Sequence, residues 1–396
     1  MFETLRSELR KIIYCLFLLL FDSLCLLRRP SKAPRTRRQI LLVRLDAIGD
    51  FVLWLDAAKA MRRLYPPGEC EIFLLGNLAW CDLALELPYF DQVLPLDRTR
   101  FIDDLHYRRS MLKEIRGRAF DVVIQPTFSR EFFQGDEIVR ISGAPERIGF
   151  AGDCTNTGRL ARLLSDRCYT RLVPATAAPL MELERNSEFM RGLGLEDFQA
   201  SLPDLRFLVR KLAAPVSGEY YVIVPGAGMP VKRWPADNFL EVARRLHRLT
   251  GWPGVVCGSV TEADLAGHVE RQAGVPLQSL AGRTSLLDLI AVIAGAAVVV
   301  GNDSAAIHLA ASLGTPAVCV LGGAQYCRFL PYRVSAPAGR LLPRPVVHRM
   351  DCFCCDWRCI HKLPRDATAP CVAHIAVDAV MDAVAEVLPL PDPPNR

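Results

Sequence analysis

The chain has 396 residues, half of them apolar, and a formal net charge of +5, enough for two domains with separate cores. The charge is unevenly placed: the first 38 residues carry nine Lys/Arg against three Asp/Glu, a net of +6, so the rest sums to −1 against the whole-chain +5. A near-neutral body excludes nucleic acid as the main partner, since gripping a phosphate backbone takes a basic surface.

Residues 12–27 form an apolar run broken by Asp22 and Ser23, followed by a basic segment from Arg28 to Arg38. Sixteen residues fall short of the roughly 20 that cross a bilayer. A signal peptide would end at a small-residue cleavage site, whereas Arg28-Arg29-Pro30 follows here. The expectation is a helix lying in the membrane surface, with the polybasic segment drawn to anionic lipid. Should it span instead, the positive-inside rule keeps the body on the cytoplasmic side. The predicted location is the cytoplasmic face of the inner membrane, peripheral or singly anchored.

Beyond the tail, residues 39–45 read as a buried strand, 51–64 as an apolar-periodic helix and 71–75 as a second strand. Residues up to Leu87 look helical, 93–96 and 122–125 are strand-like with helix over 110–116 between them, 129–141 reads as helix and 147–150 as a short strand. Residues 196–218, with Pro203 and Pro215, read as linker and entry to a second domain. A second alternation follows: strand 220–224, helix 236–250, strand 254–257, helix 261–273 and helix 285–294, the last opening with a Ser285/Asp288 capping box. Residues 298–300 then form a buried strand, 305–313 a helix that Asn302, Asp303 and Ser304 can cap, and 318–321 the next strand. Residues 371–387 read as a final helix before a Pro-rich tail predicted to be disordered. Alternation of this kind predicts an α/β fold of two doubly wound domains facing a cleft. The expected boundaries are 1–38 for the membrane-associating segment, 39–205 and 206–388 for the two Rossmann-like domains, and 389–396 for the tail.

Three stretches carry chemistry. In Arg44-Leu-Asp-Ala-Ile-Gly-Asp50, Gly49 allows a close turn and Asp50 reaches the start of a helix, where a carboxylate can take a proton from a hydroxyl. In Pro225-Gly-Ala-Gly-Met-Pro-Val-Lys-Arg-Trp-Pro235, two glycines expose backbone N–H groups beside Lys232 and Arg233, a composition suited to an anion. In the third, Asn302-Asp-Ser-Ala-Ala-Ile-His308, a strand runs into a helix N-terminus, which favours a diphosphate or a sugar hydroxyl. Neither G-x-G-x-x-G nor G-x-x-x-x-G-K-[ST] occurs, so ordinary dinucleotide and P-loop binding lack their signal.

In this order and spacing, the three stretches resemble glycosyltransferase family 9, the ADP-heptose:lipopolysaccharide heptosyltransferases and their relatives, over about Gln39 to Val387. The resemblance implies the GT-B fold, with acceptor on the N-terminal domain and nucleotide-sugar on the C-terminal one. It implies Asp50 as catalytic base and Lys232 as the lysine on the donor phosphates. Ala227 and Gly228 fall in the phosphate loop, Asp303, Ser304 and His308 on the donor's sugar and diphosphate, and Glu262 on the ribose. Gly49, Ser129 and Arg130 join Asp50 on the acceptor side. The sequence departs from the family at Ala305-Ala306, where Gly-Pro is usual, and at Asp46, where a small Ser is common.

The implied activity is inverting, metal-independent transfer of a sugar, with heptose from ADP-heptose the expected donor, to a lipopolysaccharide core or related lipid-linked glycan. No cofactor is expected, and the membrane surface is the remaining partner. A non-catalytic glycan- or nucleotide-binding protein of the same fold, or a nucleotide-sugar epimerase, are the alternatives. Cys352, Cys354, Cys355, Cys359 and Cys371 have the ligand chemistry of a structural zinc site, yet their spacing does not give a pair of C-x-x-C knuckles, so no metal is expected.

Overall fold

Short, unbroken apolar runs such as Ile40–Val43 and Val298–Val300, all but completely buried, are what parallel strands need when helices cover both faces of a sheet. The computed structural model describes residues 17–27, 35–213, 216–336, 339–364 and 366–388. Expectations for residues 1–16, for Arg28, Arg29 and Lys32, and for the 389–396 tail lie outside the described residues.

Contacts group the chain into two units. The first contains residues up to Ala47, Ala57–Ala177 and Asn186–Phe198; the second contains Ile48–Asp56, Ala178–Arg185 and the chain from Gln199 onward. The first holds β1 (Arg38–Arg44), β2 (Cys70–Asn77), β3 (Gln92–Leu96), β4 (Val122–Gln125), β5 (Glu146–Phe150) and β6 (Arg171–Val173). These pair in parallel in the order β3-β2-β1-β4-β5-β6. The second holds β7 (Tyr221–Val224), β8 (Gly254–Val256), β9 (Leu277–Ser279), β10 (Val298–Asn302), β11 (Ala317–Val320) and β12 (Arg344–Val346), paired in parallel as β12-β11-β10-β7-β8-β9. Each sheet is doubly wound, and the strand order reverses between β1 and β4 and between β7 and β10. Loops leaving the carboxyl ends of such neighbours splay apart and leave room for a ligand.

Several elements differ from the sequence expectation. The helix expected over 129–141 is a wide turn, Phe132–Asp136, followed by a short helix, Glu137–Ser142. The Asp136 N–H reaches back five residues to the Glu131 carbonyl, the mark of a π-turn. The final helix is two, Pro370–Ala373 and Val377–Val387, parted where Ala376 turns extended as the N-cap of the second. The expected linker contains a helical turn, Arg206–Val209. Residues 261–273 begin as a tight turn, Val260–Glu262, before the helix Ala263–Gln272.

The largest departure is at the N-terminus. Residues 17–23 are helical and Leu24–Leu27 tighten into a 3-10 turn. No helix among the described residues is long and apolar enough to cross a membrane. The described part of the apolar run instead packs on the first unit, with Leu18, Asp22 and Cys25 buried. The Asp22 carboxylate accepts from Arg108 Nε at 2.9 Å to each oxygen, and Arg108 is itself 1% exposed. Arg108 Nη1 also donates to the Phe133 carbonyl, and Arg140 reaches Ser23 Oγ at 3.2 Å. The charge that interrupts the apolar run is therefore one half of a core ion pair.

Candidate active site

The second unit gathers its polar groups where β7 and β10 lie side by side, Gly301 opposite Val224. Asn302 ends β10 with its side chain fully buried. Its Nδ2 donates to the Pro225 carbonyl at 2.7 Å and its Oδ1 accepts from the Trp234 N–H at 3.0 Å. One amide thus fixes both ends of the glycine loop against the next strand. That occupies Asn302, and the cap of the helix Ala305–Leu313 is Ser304, in extended backbone at φ −149° and ψ 171°. The Ser304 hydroxyl makes no capping bond, and its oxygen is buried without a hydrogen-bond partner among the described residues. A buried hydroxyl of this kind at a helix N-terminus, beside backbone N–H groups with no partner in the helix, suits an incoming anion.

Lys232 meets Asp303 at that edge, Nζ to Oδ2 at 3.0 Å, both side chains mostly buried. The Lys232 ammonium also lies 4.9 Å from the centroid of the Trp357 ring, a cation–π contact that holds the charge in place. Ala227 is buried in the loop, whereas a side chain built at Gly228 would meet nothing within 4 Å. The backbone there is open, as a phosphate loop requires. Glu262 closes a capping box in which Oε2 accepts from the Ser259 N–H at 2.7 Å and its hydroxyl at 2.8 Å. Its carboxylate stands against Gly226, where a Cβ would collide with it. Glu262 is thus at the loop, and its Oε2 is engaged by Ser259.

His308 follows one turn into the helix and is 4% exposed. Its Nδ1 pairs with the Tyr332 hydroxyl at 2.7 Å. Burial pushes its pKa down to about 4, with Lys232 lowering it further and Asp303 opposing, so the imidazole is neutral at neutral pH. The opposite edge of the ring faces Gly49: a Cβ there would sit 2.9 Å from His308 Cδ2 and 3.7 Å from the Ala305 Cα. Glycine is required by this close approach. Asp50, half-buried, lies in the first turn of the helix Ile48–Leu64, whose N-cap is Ala47. Asp50 is therefore not the capping residue, and the Gly49–His308 approach places its turn next to the helix of Asp303, Ser304 and His308. Asp46 instead pairs with buried Arg44 at 2.8 Å, and its carbonyl accepts from Trp80 Nε1 at 3.0 Å. This departure from the family's usual serine is built into the first unit's structure.

Ser129 and Arg130, expected on the acceptor side, are both buried in the first unit. Arg130 is held by Asp136 at 3.3 Å and by Asp166, with its guanidinium 4.4 Å from the centroid of the Tyr169 ring. The Ser129 carbonyl accepts from Asn156 Nδ2 at 2.9 Å. Their positions are those of a core network. Cys352, Cys355, Cys359 and Cys371 border one small apolar pocket, and Cys354 lies outside it. Among the described residues no three His, Cys, Asp or Glu side chains are grouped to hold a metal ion. Sequence reasoning missed Tyr332 and Trp357, which position His308 and Lys232 from loops without periodicity or motif.

The sequence profile described as glycosyltransferase family 9 (heptosyltransferase) matches residues 108–350. The chain belongs to that family. The glycosyltransferase is 24% identical over 318 residues to lipopolysaccharide heptosyltransferase 3 of Escherichia coli K12, covering 76% of this chain and 89% of that protein. It is 24% identical over 298 residues to lipopolysaccharide heptosyltransferase 2 of the same strain, covering 72% and 82%. Its fold matches E. coli ADP-heptose lps heptosyltransferase II with a TM-score of 0.62 at 17% identity, covering 88% of this chain and 98% of that one. It matches E. coli heptosyltransferase WaaC with ADP at 0.63 and 18%, covering 88% and 99%. These are GT-B structures, so the two doubly wound sheets are those of a GT-B glycosyltransferase.

Proposed function

We propose that the protein transfers heptose from ADP-heptose, with inversion, to a hydroxyl of a lipopolysaccharide core or related lipid-linked glycan. The observation that carries this reading is the Lys232–Asp303 pair beside the Ser304 hydroxyl, which has no hydrogen-bond partner among the described residues, at the helix N-terminus that follows β10. A diphosphate seated there meets the Lys232 ammonium, the open backbone at Gly228 and the first N–H groups of the helix. These groups are in place before reaction and stabilise the charge that builds on the leaving diphosphate. Asp303, released from part of its ion pair, can accept hydroxyls of the sugar. Asp50 takes the proton of the acceptor hydroxyl as that oxygen attacks the anomeric carbon. His308, neutral and oriented by Tyr332, shapes the wall next to Gly49 without adding charge. The relatives are named for lipopolysaccharide heptose transfer, which supports the choice of sugar and acceptor.

The test is to incubate the purified protein with a panel of nucleotide-sugars and follow nucleoside diphosphate release with and without lipopolysaccharide core acceptors. ADP-heptose should be turned over, and Asp50→Asn should retain donor binding while slowing turnover by roughly 10²–10⁴. Release from another nucleotide-sugar alone refutes the donor assignment. Wild-type turnover in Asp50→Asn refutes the role of Asp50.

A further inference from the structure

Loops at the carboxyl edge of the first sheet line two adjoining depressions. One, of about 540 Å³, lies between the end of β2 at Asn77 and the segment Asp97, Arg98 and Thr99 that follows β3. The other, of about 360 Å³, lies between Glu131, Phe133 and Gln134 after β4 and Asn156 and Thr157 after β5. Ile102 lines both, so they form one groove. Small-molecule sites usually enclose roughly 300–1,000 Å³, and doubly wound sheets bind ligands at this edge. The polar side chains of the groove are already oriented. Arg98 donates from Nε to Gln134 Oε1 at 2.9 Å and from Nη2 to Glu131 Oε1 at 3.0 Å, and Gln134 donates to the other Glu131 oxygen. Asn156 Nδ2 donates to the Ser129 carbonyl and the Thr157 hydroxyl to the Arg130 carbonyl, both at 2.9 Å. Among these groups stand Leu78 and Ile102, both exposed, and Phe133. The wide turn Phe132–Asp136 divides its side chains: Phe133 and Gln134 line the groove, while Asp136 stays in the core with Arg130. Turns of this π type recur at functional sites.

We infer that this groove binds an uncharged saccharide. A sugar presents hydroxyls that both donate and accept, together with an apolar C–H face. Arg98 and Glu131 set donors and an acceptor side by side, as neighbouring hydroxyls require, and the Arg98 fork keeps N–H groups beyond its two bonds. Ile102 and Phe133 give the C–H face an apolar wall to lie against. Charge selects against a phosphate or carboxylate. The two lining arginines, Arg98 and Arg108, are already paired with Glu131 and Asp22, and Asp97 adds a further carboxylate to the lining. An anion would bring its charge beside Glu131 and Asp97 without a free arginine among the lining residues to meet it. Ser129 and Arg130 serve this groove through their backbone carbonyls, which hold Asn156 and Thr157. That the saccharide is the acceptor chain rests on the transfer proposed above; its binding rests on the groove alone.

The experiment is saturation-transfer NMR on the full chain with no donor present. The probes are the methyl glycosides of mannose, glucose, galactose and L-glycero-D-manno-heptose, and the 6-phosphates of the hexosides. At least one uncharged hexoside should bind, and its phosphate about tenfold or more weakly. Arg98→Leu should weaken that binding about tenfold or more, because charge-assisted hydrogen bonds are lost. Glu131→Gln keeps the shape and removes the charge, so it should narrow the gap between the uncharged and phosphorylated probes. Thermal melts check that the variants fold. Should Arg98→Leu not fold, Arg98→Lys replaces it, since lysine keeps the charge and loses the fork. The inference is overturned if no uncharged glycoside binds, if the phosphates bind as tightly as their parent sugars, or if either variant matches the wild type. A protein that binds a glycoside in this way but never turns over ADP-heptose refutes the transfer and supports the groove. One that turns over ADP-heptose yet binds no glycoside refutes the groove and leaves the transfer standing.

Discussion

His308 offers a test of the site that needs no substrate. Its ordinary pKa of 6.5 falls to about 4 in the folded protein, chiefly through burial. Between those values the unfolded chain binds a proton that the folded chain refuses, so stability falls as pH drops through the window and is fully present above it. At pH 5 the difference between a pKa of 6.5 and one of 4 amounts to about 2 kcal/mol, rising to on the order of 3 kcal/mol below pH 4. For a unit of this size that corresponds to roughly 4–8 °C of melting temperature. The perturbation is His308→Gln, which keeps a polar partner for Tyr332 and removes the titration. Thermal midpoints of both proteins are measured at pH 7.5 and pH 5. Other groups titrate in both, so the wild type should lose several degrees more than the variant on acidification. Parallel losses would refute the claim that a neutral, buried His308 sits in the folded site.

Two further substitutions probe the same edge. Lys232→Ala should weaken ADP binding by about ten- to a hundredfold by calorimetry, since a charge-assisted contact is worth roughly 1.5–3 kcal/mol; unchanged affinity would return Lys232 to a purely structural pairing with Asp303. Gly49→Ala places a methyl 2.9 Å from His308 Cδ2 and should destabilise by about 1–3 kcal/mol. In a double-mutant cycle His308→Ala should recover most of that loss, and strict additivity would disprove the contact.

Where pattern and packing agree, the sequence was legible. The buried run at Val298, the stop at Gly314 and the Ser285/Asp288 box are local signals, and β10, the helix Ala305–Leu313 and the helix Leu286–Gly295 stand where they indicate. Lys232, Asp303, Ser304 and His308 converge because β7 and β10 are neighbours, a consequence of doubly wound topology that the alternation of elements implies. Three-residue edge strands such as β6, β9 and β12 are too short to show a period. Asn302 looked like a cap because capping chemistry and strand-end bridging use the same amide, and only the loop at Pro225 and Gly226 decides between them. Trp357 and Tyr332 enter from loops, where three-dimensional closure rather than spacing sets the neighbour. The surroundings of Arg130 were illegible for a related reason: its carboxylate partners Asp136 and Asp166 come to it only once the chain is folded.

Asp22 shows the same limit most sharply, and its consequence is measurable. Within residues 12–27 a single carboxylate looks like a blemish in a membrane-seeking run, because its partner Arg108 is 86 positions away. Since every chemical motif lies beyond Gln39, the sequence alone suggests that the tail can be cut without harm. The structure argues otherwise. Removing residues 1–27 strips Asp22 from Arg108, whose guanidinium is then left with the Phe101 and Phe133 carbonyls and no carboxylate, and uncovers the surface beneath Leu18 and Cys25. An uncompensated buried charge costs about 3–5 kcal/mol, so the truncated protein should melt well below the full chain. Replacing Arg108 by Met in the truncated protein removes the stranded charge and should restore part of the loss, whereas Arg108→Met in the full chain should destabilise it by leaving Asp22 buried alone. The opposite effects of one substitution in two backgrounds distinguish an ion pair from simple loss of packing. Equal melting of full and truncated chains would mean that Asp22 and Arg108 do not meet, and that the helix is not part of the folded unit.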